Sequence, residues 1–210
     1  MNVRRVLLTV FGAVFVAMMG QVGHAQERMP RIPADKMTAE QTQAVAEFLK
    51  LRRTTTLPSS FATLLRSPEL MVRTSAIGDY VRRSVLSPAL YEFVVVVTAR
   101  RLDSQYEWDS HYQPALDAGV SATLLKELAE GERPSAFTAD QRILWDLLDE
   151  LHRTNHVSDG TYARALARFG EQGVIDTVAT SGYYMMLGAV VNTAQTTGIG
   201  GAPKLKPRRQ

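Results

Sequence analysis

The sequence predicts an all-α protein with a single domain and about eight helices. Its 210 residues, of which 45% are hydrophobic, suit one domain with a substantial core. Helix starts are marked by the Thr38–Gln41 capping pattern and by Ser-Pro pairs at residues 67–68 and 87–88. No stretch of the sequence indicates a second domain or a repeat.

Capping residues and apolar spacing place most helices along the chain. The first is expected from Thr38 to about Arg53, where the sequence TTTLPSS ends it. The next is expected from Ser67 to about Arg83, with apolar side chains directed inward at Leu70, Val72, Ile77 and Val81. Later helices are expected over residues 104–118, from 121 to the GERPS sequence, and over 138–153, 158–169 and 172–196.

The segment from Pro88 to about Leu102 contains the run FVVVV, which admits two interpretations. Its β-branched residues favour a strand over residues 93–97. A helix is favoured because helical segments surround the run and no second strand is available to pair with it. Four valines in a helix then imply burial on most of its sides.

Residues 1–25 have the pattern of a secretory signal peptide. Two arginines precede the apolar run over residues 6–20, and Gly23 and Ala25 provide a small-residue cleavage site. The protein is therefore expected to be exported, to the periplasm or outside the cell, with no membrane attachment after cleavage. An uncleaved anchor is the alternative, and the arginine pair also allows twin-arginine export.

The mature chain is expected to have three parts. They are an N-terminal arm with the first helix over residues 26–60, a helical domain over 61–196, and a basic, solvated tail over 197–210. Loss of the signal peptide lowers the formal net charge from +3 to +1, which gives no electrostatic reason to expect nucleic-acid binding. The chain has no cysteine, so it forms no disulfide and performs no thiol chemistry.

Polar residues interrupt the apolar pattern at the sequence SQYEWDSH, residues 104–111. Ser104, Glu107 and His111 fall at positions i, i+3 and i+7, which places them on one helical face. A hydroxyl, a carboxylate and an imidazole beside a strongly apolar segment indicate a candidate functional site.

The sequence LYEFVVVVTARRLDSQYEWDSHYQPALDAGVS resembles the signature of the carboxymuconolactone decarboxylase family, which includes the alkylhydroperoxidase D-like proteins. The C-terminal LARFGEQGVIDTVATSGYYMMLGAVVNTA is similar to the closing helices of that family, so the resemblance covers about residues 61–196. It implies an alkylhydroperoxidase D-like helical fold. It also implies a homo-oligomer, which is a dimer, trimer or hexamer.

The peroxidase branch of that family carries a glutamate, eleven further residues and then Cys-x-x-Cys-x-x-x-His. Counted from Glu92, this chain has Ser104 and Glu107 in place of the two cysteines and keeps His111. Thiol peroxidase activity is not expected, because a serine hydroxyl does not undergo the sulfenic acid and disulfide cycle. The Glu-Trp-x-x-x-His variant formed by Glu107, Trp108 and His111 resembles the decarboxylase branch instead.

The resemblance implies a cofactor-free enzyme that decarboxylates, or moves a proton on, a small unsaturated or lactone carboxylic acid. His111 is the candidate general acid or base, and Glu107 and Glu92 are the candidate carboxylates that tune and orient it. Neither a metal nor a cofactor is expected. The candidate substrate-binding residues are Ser104, Tyr106, Trp108, Arg100 and Arg101, with the two arginines expected to hold a substrate carboxylate.

Structural roles compete with each of these assignments. Glu92 could simply favour its helix dipole, and Glu107 with His111 could form a buried ion pair. Ser104 could be an N-cap, Trp108 a core residue and the Arg100-Arg101 pair a solvated one. At the level of the whole protein, two alternatives stay open. One is a non-catalytic ligand-binding or assembly protein, and the other is a redox protein that holds a metal or a haem.

Overall fold

The computed structural model describes residues 26–207, and every regular element in that range is helical. The predicted all-α fold of about eight helices is therefore confirmed. Its helices are α1 Ala39–Arg52, α2 Ser59–Leu64, α3 Pro68–Val81, α4 Pro88–Arg101, α5 Gln105–Asp117, α6 Ala122–Glu130, α7 Ala139–Thr154 and α8 Asp159–Ala194. The predicted signal peptide lies outside the described residues and stays a prediction.

Helix α4 is the centre of the fold, and the run of valines within it is helical. Its Ser87 hydroxyl accepts a hydrogen bond from the Leu90 backbone N–H, and Pro88 occupies the first helical position, as the Ser-Pro pattern predicts. Residues 93–96 are completely buried, because α5, α7 and α8 all pack against this helix. The helix, and not the strand, is thus the correct interpretation of this segment.

Two local expectations are wrong. Helix α2 begins at Ser59, within the TTTLPSS segment that was expected only to end the first helix. It is six residues long, too short for a periodic pattern to reveal. In α3, Leu70 and Ile77 are 43% and 50% exposed, although both were expected to face inward. The buried side of α3 carries Met71, Thr74, Ser75, Gly78 and Val81, of which Val81 was expected to face inward, and α8 approaches closely at Gly78.

Helix α8 is long, apolar and interrupted at Gly170, whose backbone adopts φ 68° and ψ 175°. The predicted helix end at Gly170 is confirmed, since this positive φ suits glycine and breaks the helical path. Within residues 26–207, α8 alone has the length and composition to cross a membrane. Its most apolar window is 56% buried within the fold, where it contacts α2, α3, α4, α5 and α7.

Both ends of the described chain pack on the helical core. In the N-terminal arm, the Arg28 backbone N–H donates to the Ala194 carbonyl at the end of α8 (2.8 Å). The C-terminal tail was expected to be solvated, and its Lys204 and Lys206 side chains are exposed, although its backbone is hydrogen-bonded to the core at several residues. The Leu205 N–H donates to the Gln105 side chain on α5 (3.0 Å), and the Lys206 N–H donates to the Ala129 carbonyl (2.9 Å). The tail stays close because Leu205 also packs against the core.

Candidate active site

A cavity of about 120 Å³ lies where α1, α2, α5 and α8 meet the C-terminal end of α3. One part of its wall is apolar and the other part is rich in ionisable groups. The residues that line it are Phe48, Arg52, Pro58, Ser60, Phe61, Arg82, Tyr106, Glu107, Ser110, His111, Tyr184 and Leu187. A cavity of this volume is smaller than the pockets that take drug-sized ligands, so it suits a small molecule.

His111 and Glu92 form a hydrogen-bonded pair beside this cavity. His111 Nδ1 lies 2.8 Å from Glu92 Oε2, although the two residues come from different helices, α5 and α4. The side chains are 12% and 13% exposed, so the pair is shielded from bulk water but not sealed from it. The edge of the His111 ring packs against Tyr184, with 4.9 Å between ring centroids. This contact fixes the plane of the imidazole.

Glu107 does not form the hydrogen bond with His111 that the i, i+4 spacing suggested. Its side chain is only 3% exposed, and its Oε1 atom is buried without a hydrogen-bond partner. Burial raises the pKa of Glu107, while electrostatic interaction with His111 and Arg82 acts in the opposite direction. The site thus contains two unlike carboxyl groups, of which only Glu107 lines the cavity itself. Glu92 is bonded to an imidazole, and Glu107 is held in a site that favours its neutral acid.

Arg82 and Tyr184, which line the cavity, form a hydrogen-bonded chain with Tyr91 behind them. Arg82 Nη2 donates to the Tyr184 hydroxyl (3.0 Å), which lies 2.5 Å from the Tyr91 hydroxyl. Burial raises the pKa of Tyr91 to about 12 and that of Tyr184 well above its ordinary value. Both phenols therefore stay neutral at physiological pH and act as hydrogen-bonding groups, not as bases.

Of the five residues predicted from the sequence to bind substrate, only Tyr106 lines this cavity. The Tyr106 hydroxyl accepts a hydrogen bond from the Ser60 backbone N–H (3.1 Å) and so ties α2 to α5. Ser104 is at the N-cap position of α5, but its buried hydroxyl bonds neither the helix nor any other group among residues 26–207. Trp108 is fully buried and donates to the Pro203 carbonyl (3.0 Å), as its alternative core role requires.

Arg100 and Arg101 line a second cavity, also of about 120 Å³, which His111 does not reach. Arg100 Nη1 pairs with Asp103 (2.8 Å), and its Nη2 donates to the Lys206 carbonyl (2.7 Å). Arg101 Nη2 donates to the His152 carbonyl (2.6 Å). The structure therefore does not bring these two arginines together with the His111 pair.

Sequence reasoning missed Arg52, Arg82 and Tyr184 as members of the site. One signal could have found Arg52, because it lies one helical turn after the apolar Phe48 and therefore shares its face. No comparable signal identifies Tyr184, which lies more than 70 residues from His111 in the chain. Within residues 26–207, no group of three or more His, Asp or Glu side chains is placed to hold a metal ion.

The comparisons with known proteins leave the family of this all-α chain unassigned. No protein-family model matches the sequence, and no curated protein matches it either.

Proposed function

We propose that this chain is an enzyme of the carboxymuconolactone decarboxylase type. It decarboxylates, or moves a proton on, a small unsaturated or lactone carboxylic acid without a cofactor. One observation carries the proposal: His111, which is hydrogen-bonded to Glu92, and the buried acid Glu107 line the same small cavity. The resemblance of residues 61–196 to that family supports the same activity.

Glu92 orients the imidazole of His111. When Nδ1–H donates to the Glu92 carboxylate, the neutral imidazole carries its lone pair on Nε2, which can then accept a proton. Glu107 has the complementary role, because burial raises its pKa and so favours the protonated form that can donate a proton. A base and an acid in one cavity can take a proton from one carbon and return it to another.

Decarboxylation requires only the proton donor, Glu107. The bond between carbon and carboxylate breaks, CO₂ leaves, and the electron pair delocalises onto the conjugated carbonyl of the substrate. Glu107 then adds one proton to carbon, and water replaces that proton on the enzyme. The change requires no oxidant and no reductant, which agrees with a chain that contains no cysteine.

A homo-oligomer and export through residues 1–25 belong to the same proposal. Two exposed apolar residues, Ile77 on α3 and Ile175 on α8, support a subunit contact. They lie beside the hydrogen bond that joins Tyr80 to Asp176 (2.8 Å) across these helices. Paired apolar residues on adjoining helices are typical of subunit interfaces.

The test is the decay of carboxymuconolactone absorbance with purified protein and with His111→Gln and Glu107→Gln. Each variant should lose about 10²- to 10⁴-fold in turnover, the usual contribution of a general acid or base. Glu132→Gln, at an exposed glutamate outside the cavity, controls for the amide substitution itself. Absence of turnover in a folded wild-type protein would instead favour a ligand-binding role on the same fold.

A further inference from the structure

Arg52 places an unsatisfied cationic group at the cavity. It is the last residue of α1, and its Nη1 atom is buried without a hydrogen-bond partner. Its guanidinium carbon lies 6.0 Å from the centroid of the Phe48 ring, one turn earlier on the same helix. A buried N–H donor that bonds nothing is unfavourable on its own, so its retention points to a ligand that completes it.

Arg82 supplies a second guanidinium to the same cavity from the end of α3. Its Nη1 donates to the Gly78 carbonyl (2.7 Å) and its Nη2 to the Tyr184 hydroxyl, which hold the group in place. An arginine has five N–H donors, so these two bonds leave others for a ligand. Burial and the charge of Arg82 both lower the pKa of Arg52, as expected for two cations that share one site.

Within residues 26–207, no carboxylate forms a salt bridge with either of these two cations, although the charge of Arg82 acts on the pKa of Glu107. Glu92 is engaged with His111, and Glu107 makes no hydrogen bond through its buried Oε1 atom. Two guanidiniums that line one cavity repel each other unless an anion lies between them. A carboxylate matches their planar, paired N–H donors in both charge and geometry.

We infer that Arg52, with Arg82 beside it, binds a carboxylate of the substrate that is retained in the product. This inference rests on the proposed function and adds the anchoring group to it. The carboxylate that leaves as CO₂ loses its charge as the reaction proceeds. An arginine bound to that group would stabilise the substrate more than the transition state and would slow the reaction.

The inference restricts the class of substrate. A molecule decarboxylated here carries two carboxylates, one lost as CO₂ and one held by Arg52. A molecule on which the enzyme only moves a proton needs one carboxylate. Arg100 and Arg101, in their separate cavity, have no part in holding it.

Binding of an unreactive probe tests the inference without any turnover. The probe is sorbate, a small unsaturated monocarboxylate, and its uncharged counterpart is sorbamide, both titrated calorimetrically into the wild-type protein. We expect Arg52→Met to weaken sorbate binding about 10- to 100-fold, the usual loss for a charge-assisted hydrogen bond. Sorbamide should bind the two proteins equally. Arg53→Met, at the exposed next residue, is the matched control and should retain sorbate binding.

Loss of folding is not expected to explain weaker binding by Arg52→Met. Because Arg52 Nη1 is buried without a partner, methionine should leave the melting temperature unchanged or raise it. Three outcomes would overturn the inference. These are wild-type protein that does not bind sorbate at millimolar concentration, unchanged affinity in Arg52→Met, and equal loss in Arg53→Met.

Kinetics separate this inference from the proposed function. If carboxymuconolactone turns over, Arg52→Met should raise KM much more than it lowers kcat, because the contact is the same in substrate and transition state. If the enzyme turns over and KM is unchanged in Arg52→Met, the proposed contact between Arg52 and the substrate would be refuted. The proposal that the protein is an enzyme would not be affected. Arg52-dependent binding of sorbate without turnover of carboxymuconolactone would establish the carboxylate site and refute decarboxylation of that substrate.

Discussion

Glu107→Gln is the substitution whose effect on stability follows most directly from the structure. The wild-type side chain is 3% exposed, and burial raises its pKa above the ordinary value of 4.5. The folded protein therefore holds the Glu107 proton more tightly than the unfolded chain does. The stability linked to this proton is fully present below pH 4.5 and is lost as the pH rises through the folded pKa.

The expected size of the effect follows from the cost of ionising a buried carboxyl group whose Oε1 atom has no hydrogen-bond partner. Each unit by which the folded pKa exceeds the unfolded one costs about 1.4 kcal/mol above both pKa values. The neutral acid and the glutamine amide share the cost of a buried polar group, so only the ionised carboxylate carries an additional cost. Glutamine keeps the shape and carries no charge, so Glu107→Gln should be about 1–3 kcal/mol more stable than wild type at pH 8.

Urea unfolding of both proteins at five pH values between 4 and 8 measures this difference. At pH 4 the two free energies of unfolding should nearly coincide, and the gap should widen as the pH rises. At pH 8 the melting temperature of the variant should be higher by roughly 2–12 °C. A gap that is constant with pH, or a variant less stable than wild type at pH 8, would refute the assignment of Glu107 as a buried acid. Glu132→Gln provides the control for an exposed glutamate.

Two further predictions concern packing and assembly. Gly78→Ala should destabilise the protein by about 1–3 kcal/mol, because the added methyl would lie 2.7 Å from Tyr183 Cζ. Gly182→Ala, where the added methyl meets nothing within 4 Å, should instead be neutral or stabilising by up to about 1 kcal/mol, and thermal unfolding compares the two. Ile77→Asp should lower the mass measured by light scattering if the exposed faces of α3 and α8 join subunits. Ile199→Asp, at an apolar residue of the tail that is 66% exposed, should leave that mass unchanged, and equal masses for both variants would contradict this interface.

The helices were predictable from sequence because their signals are local. The capping box of Thr38 with Gln41 and the N-cap at Ser87 each involve residues three apart, and the structure contains both. Helix α2 escaped prediction because six residues carry no periodic pattern. The inward face of α3 was misassigned because its packing depends on Gly78, where the absence of a side chain, not an apolar one, admits α8.

The candidate site, like the helices, was predicted from the sequence only in part. Glu92, Glu107 and His111 were selected from one short pattern on two consecutive helices, and all three lie at or beside one cavity. The pattern could not decide which glutamate bonds His111, since i, i+4 spacing permits Glu107 and only the α4–α5 packing brings Glu92 within 2.8 Å. It also directed attention to Arg100 and Arg101, which are neighbours of the site in sequence but line another cavity.

The sequence by itself determined the all-α class and most helix boundaries and selected the candidate acid–base residues, because each depends on groups within about one helical turn or on a short pattern. Only the tertiary structure decided which arginines face the cavity. Arg52 and Arg82 meet because the C-terminal ends of α1 and α3 come together beside α5 and α8. It also decided that Glu107 is buried, since burial depends on side chains from distant parts of the chain. The charges that face the cavity and the pKa of Glu107 therefore depend on how the helices pack, which the local sequence does not reveal.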